Sequence, residues 1–91
     1  SKSKEDIDVL KAAYAHEKFI TASINAIYAE ASKVNDYRTT QFLDWFISEQ
    51  AEEEKNAADL IQKMDLFGSD SRALYLLDHE FSTRSYKPSA Q

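Results

Sequence analysis

Ile7, Leu10, Tyr14, Glu17, Thr21, Ile24, Tyr28 and Ala31 recur at alternating steps of three and four, which places them on one face of an α-helix. Leu43, Phe46, Gln50, Glu53, Ala57, Leu60, Met64 and Phe67 repeat the alternation further along. Both stripes are apolar at their ends and interrupted in the middle, by Glu17 in the first and by Gln50 and Glu53 in the second. Between them, Asn35-Asp36-Tyr37-Arg38-Thr39-Thr40 is a polar stretch suited to a tight turn between antiparallel helices. With the turn near Asn35 and Asp36, Glu17 lies about as far before it as Glu53 lies after it, so equal helical rise brings both to one level.

The pattern predicts an all-α chain forming a single domain. Residues 1–5 read as loop, with Ser3 and Asp6 forming a weak capping box for a helix over 6–34. Residues 35–38 form the elbow. A second helix over 38–67 stops before Gly68, read as a left-handed C-terminal cap. Ser69 or Asp70 then caps a short helix over 70–83 that carries Leu74, Leu76, Leu77 and Phe81, and 84–91 is a tail. Each long helix should span on the order of 40 Å. The off-stripe residues Phe19, Ile20, Ile27, Phe42 and Trp45 add apolar surface that one antiparallel pair cannot bury. A four-helix bundle, and an oligomer rather than an isolated hairpin monomer, is the expected setting.

Composition narrows the chemistry. A net charge of -5 and a pI near 4.9 argue against a nucleic-acid footprint and against anionic membranes, and favour cations as partners. With no cysteine, disulfides and thiolate metal sites are excluded, and any metal must be held by oxygen or imidazole. No apolar run is long enough to span a bilayer and no signal peptide is recognisable, so a cytoplasmic location is expected. The chain starts at Ser1 and its one methionine is Met64, as in a processed product or a fragment.

A carboxylate inside a helical bundle is costly unless it is paired, protonated or bound to a cation, and neither stripe contains Lys or Arg. Carboxylates at inward positions of facing helices converge on hard or borderline cations. Glu17 and Glu53 are therefore the candidate metal ligands, with Gln50 one turn away able to bond a metal-bound water or oxygen species. Glu49 and Glu52 flank the same face and would attract a further cation. Two blander accounts compete. Glu49 to Lys55 could be a solvated acidic stretch, and Glu17 a buried acid satisfied by the hydroxyl of Tyr14 or Tyr28. His16 and His79 are read as surface residues, and no Glu-x-x-His arrangement occurs around either in either orientation. Trp45, Phe42 and Phe46 read as core and interface, since no basic residues interleave them. Neither a Gly-rich phosphate loop nor a hydrolytic triad has a foothold.

Three blocks in order carry a resemblance: Tyr14-Ala15-His16-Glu17-Lys18-Phe19-Ile20-Thr21, then Phe42-Leu43-Asp44-Trp45-Phe46-Ile47-Ser48-Glu49-Gln50-Ala51-Glu52-Glu53-Glu54, and Leu74-Tyr75-Leu76-Leu77-Asp78. Over roughly Asp6 to Arg84 the chain resembles the C-terminal half of a bacterial non-haem ferritin. The resemblance implies the third and fourth bundle helices and the short fifth helix of a subunit that assembles, in that family, into a cage of 24. It further implies that Glu17 and Glu53 ligate one iron of a ferroxidase pair, with Gln50 beside the oxygen-binding position and Glu49 and Glu52 at a third iron site. The implied activity is oxidation of Fe(II) by oxygen or peroxide, with storage as ferric mineral.

Two earlier helices of that family, supplying a glutamate and a Glu-x-x-His pair, have no counterpart here, so this chain would carry only part of the centre. The N-terminal half would have been cleaved away, left out or replaced. Two copies of the hairpin could instead rebuild a bundle about a two-fold axis, an arrangement that encapsulated ferritins resemble. A non-catalytic helical assembly module, whose acidic residues merely specify pairing, is the alternative from another class.

Overall fold

A computed structural model describes residues 2–68 and 70–84. It consists of α1 (Lys2–Lys33), α2 (Tyr37–Phe67) and α3 (Ser71–Arg84). At 1.5 Å per residue, α1 and α2 run about 47 Å each, and they fold back on each other in a rod of 54 × 18 × 18 Å. No helix among the described residues is long and apolar enough to cross a membrane.

The helical stripes become the seam of this hairpin. Leu10, Glu17, Ile24 and Ala31 are buried along α1, and Leu43, Gln50, Ala57, Leu60 and Met64 along α2. The outlier is Phe67, which closes α2 and stays about half exposed at 49%. At the open end of the hairpin Leu10, Leu60 and Met64 join Leu77 of α3, with Ile7, Ile61 and Leu74 packed around them. Lys63 and Glu80 make a partly exposed ion pair between α2 and α3 at 3.4 Å. Leu76 of the same helix is 62% exposed, because the Leu74 and Leu77 side of this helix meets the core. The side chain of Phe81 lies outside the described set.

Two short motifs make the elbow. Asn35 adopts φ 60, and its N–H donates to the Ser32 carbonyl at 3.1 Å while the Asp36 N–H donates to the Ala31 carbonyl at 2.8 Å. This pair of bonds is a Schellman closure of α1, and asparagine is among the few residues that tolerate the left-handed conformation it needs. Asp36 then caps α2, accepting from the Thr39 N–H at 3.1 Å and from the Thr39 hydroxyl at 2.6 Å. Thr39 thus lowers the Asp36 pKa, through its hydroxyl first and its N–H second.

The ends of the elements differ from expectation in three ways. Residues 2–5 are helical, so Ser3 lies within α1 and does not cap it. Gly68 is right-handed, φ -65 and ψ -17, because its N–H simply extends the helical ladder to the Met64 carbonyl at 2.8 Å. Glycine matters there for space, since a Cβ would stand 2.5 Å from that carbonyl oxygen. Asp70 caps α3 by accepting from the N–H groups of Arg72 and Ala73 at 2.9 and 3.1 Å. Ser69, the other candidate cap, and residues 85–91 of the expected tail lie outside the described residues.

Two outcomes follow for the elbow. Asn35→Ala, forced into a left-handed conformation, should lose about 1 kcal/mol in chemical denaturation, whereas Asn35→Gly should be close to neutral. Because the folded-state pKa of Asp36 is lowered, its contribution is present above about pH 4 and is lost as pH falls through the folded-state value. Thermal melts should therefore separate Asp36→Ala from the parent at pH 7 and bring the two together near pH 2.

Candidate metal centre

The polar interruptions meet at the middle of the hairpin. Glu17 is 3% exposed and Gln50 1% exposed, with no lysine or arginine paired to Glu17 among the described residues. Gln50 crosses the seam with its amide nitrogen, which donates to the Glu17 carboxylate oxygen Oε2 at 2.8 Å and to the Glu17 backbone carbonyl at 2.9 Å. Glu17 is therefore held by an amide from the opposite helix and not by the hydroxyl of Tyr14 or Tyr28. The ring of Tyr14 instead lies under Lys18, whose Nζ is 5.1 Å from its centroid.

A neutral donor satisfies one carboxylate oxygen without neutralising the charge. The Gln50 amide holds Oε2 of a carboxylate whose residue is only 3% exposed in the seam. A cation suits this arrangement, and the oxygen donor set fits a hard or borderline one.

Glu53 follows Gln50 by three residues on the inward side of α2 and is half-buried. Glu49 is half-buried as well, while Glu52 is exposed. The four carboxylates do not close into a cluster: among the described residues, no three Asp, Glu, His or Cys side chains are grouped so that they could hold a metal. His16 stacks on Phe19 at the surface, centroids 6.5 Å apart, away from the seam.

Sequence reading missed a second crossing. The Thr21 hydroxyl donates to Oε2 of Glu54 on α2, and it is also 3.1 Å from the Glu17 carbonyl. The two crossings, Glu17 with Gln50 and Thr21 with Glu54, run diagonally past each other and tie the turn 17–21 of α1 to the turn 50–54 of α2. Equal counting from the elbow would have found Glu54 opposite Glu17, but its place in an acidic run hid it. A small cleft beside the crossing is lined by Thr21, Ile24, Asn25, Ile47 and Gln50.

One flank of the hairpin is apolar and open. Phe19 and Ile27 on α1 and Phe42 and Trp45 on α2 are all more than half exposed. Phe46 joins the α2 patch, with its ring 5.2 Å from that of Phe42 and 4.8 Å from that of Trp45. A patch of this kind marks a surface that another element covers.

Comparison with known proteins agrees with this anatomy. A model of the ferritin-like domain matches residues 2–67. The bacterial non-heme ferritin of Escherichia coli O6:H1 is 41% identical over 76 residues, covering 84% of this chain and 46% of the relative. That of Campylobacter jejuni is 41% identical over 75 residues, covering 82% and 45%. Among solved structures, an open-pore ferritin from the hyperthermophilic archaeon Archaeoglobus fulgidus superposes with a TM-score of 0.78 at 38% identity, covering 84% of this chain and 47% of that one. The chain spans about half the length of the curated relatives it matches. Its two long helices, followed by the short α3, are half of the four-helix-bundle architecture that those structures share.

The crossing has an energetic signature. Gln50→Leu strands the Glu17 carboxylate without its donor and should cost about 1–3 kcal/mol in urea denaturation without metal. The double replacement Glu17→Leu with Gln50→Leu should recover most of that loss, since removing both partners of a buried polar pair is often neutral or stabilising.

Proposed function

Because this chain belongs to the ferritin family, we propose that it is the part of an iron-storage subunit that carries one side of a carboxylate-rich diiron oxidation centre. The observation that supports this most is the Glu17 carboxylate, buried at 3% exposure, bonded to an amide and paired with no base among the described residues. Fe(II) is the substrate and the cargo. In this reading Glu17 and Glu53 bind it, Gln50 orients Glu17 and borders the place where the oxidant docks, and Glu49 and Glu52 pass iron onward.

Elementary electrostatics explains why such a site would oxidise its substrate. Anionic oxygen ligands in a poorly solvated seam stabilise Fe(III) more than Fe(II), because attraction grows with the charge of the ion. Electrons leave to oxygen or peroxide, and the ferric product moves to storage. The carboxamide of Gln50 adds no charge, so it holds the carboxylate in place without competing for the cation.

The remaining ligands come from outside these three helices. We assign them to the N-terminal half that the longer relatives possess, which would also cover Phe19, Ile27, Phe42 and Trp45. In the intact protein the subunit would assemble into a 24-subunit cage. Two hairpins pairing about a two-fold axis would also cover the flank, giving a symmetric all-carboxylate site that binds iron less tightly than a set including imidazole.

Replacing Glu17 and Glu53 by Gln tests the reading against that of a pure assembly module. In the assembled protein, the initial rate of Fe(II) oxidation, followed by absorbance, should fall at least about tenfold, the loss seen when even a residue that merely orients a metal ligand is replaced, while the assembly keeps its mass. Altered assembly with unchanged iron oxidation would support the module instead.

A further inference from the structure

The Thr21 hydroxyl has one hydrogen and two acceptors within reach, the Glu54 carboxylate on the opposite helix and the Glu17 carbonyl one turn back on its own. The Glu17 carbonyl is the contested group. One of its lone pairs takes the ordinary helical bond, and the other receives the Gln50 amide at 2.9 Å. A threonine left to itself inside a helix bonds back to the carbonyl four residues earlier. An ionised carboxylate is the stronger acceptor, so Glu54 draws the Thr21 hydrogen across the seam and leaves the carbonyl to Gln50.

We propose that Glu54 is a positioning residue for the iron-oxidising site: by holding the Thr21 hydroxyl, it keeps the Glu17 carbonyl open to Gln50 and so fixes the amide that orients the Glu17 carboxylate. The proposal rests on the functional reading above. Glu54 acts through an ordered relay from Glu54 to Thr21, to the Glu17 carbonyl, to Gln50 and to the Glu17 carboxylate. In the absence of Glu54, the hydroxyl turns back to the carbonyl and competes with the amide. This makes an unusual demand, that removing the hydroxyl repairs the loss of the acid.

The test uses the assembled protein and two readouts, the exchange rate of the Gln50 side-chain amide by solid-state NMR without iron and the initial rate of Fe(II) oxidation. Glu54→Ala should speed amide exchange and slow oxidation, each by about tenfold, the equivalent of one hydrogen bond. Glu54→Gln, whose neutral amide oxygen accepts no better than a backbone carbonyl, should fall between the parent and Glu54→Ala. Adding Thr21→Val to Glu54→Ala should restore both rates. An unchanged Gln50 amide in Glu54→Ala, or a double variant no better than the single, overturns the relay. If amide exchange follows this pattern while Glu17→Gln leaves iron oxidation untouched, the relay stands and the iron reading falls.

Discussion

One carboxylate in a dry place governs this molecule. Two helices of about 47 Å meet along a seam that is apolar at both ends, and at its centre they enclose Glu17 with only a glutamine amide for company. Burying that charge without a counter-charge opposes folding, by a margin that packing elsewhere has to exceed. The apolar cluster of Leu10, Leu60, Met64 and Leu77 at one end and the capped elbow at the other hold the centre in register. Stability at the ends thus makes an unfavourable middle possible, a common arrangement where function needs a group that folding alone would discard.

The second consequence is that the centre is one-sided. Glu17 and Gln50 face each other, Glu53 and Glu49 stand on the same side of α2, and among the described residues no three acidic, histidine or cysteine side chains are grouped so that they could hold a metal. The same incompleteness appears in packing, because Phe19, Ile27, Phe42 and Trp45 lie open on one flank. On the proposed function, chemistry and hydrophobic surface would both be met by another pair of helices. The relatives are about twice as long as this chain, and in the proposed reading their further length would meet both needs.

Much of this was legible in the residues. The steps of three and four named the seam almost position for position, since side-chain burial on a helix follows its period, and the polar elbow announced itself through Asn35 and Asp36. The unusual placement of Glu17 and Gln50 was legible for the same reason. What could not be read was which polar group answers which. The residues offered Tyr14 and Tyr28 as partners of Glu17 and not Gln50, because the choice turns on how α1 and α2 are rotated against each other. Thr21 and Glu54 escaped notice because threonine in a stripe and glutamate in an acidic run both have ordinary explanations. Element ends were misread where local chemistry is permissive: residues 2–5 extend α1 despite a capping signal, and Gly68 serves for clearance over the Met64 carbonyl without turning left-handed.

The most direct test of a cation-seeking Glu17 avoids redox chemistry altogether. Zn(II), which is redox-inert and accepts oxygen ligands, can be titrated into the assembled protein while NMR follows the side-chain carboxyl carbons of its glutamates. The account predicts that the Glu17 and Glu53 signals shift together and saturate at the same zinc level, with the Gln50 amide moving alongside them. A Glu17 signal that stays in place while zinc saturates the exposed acids would contradict it.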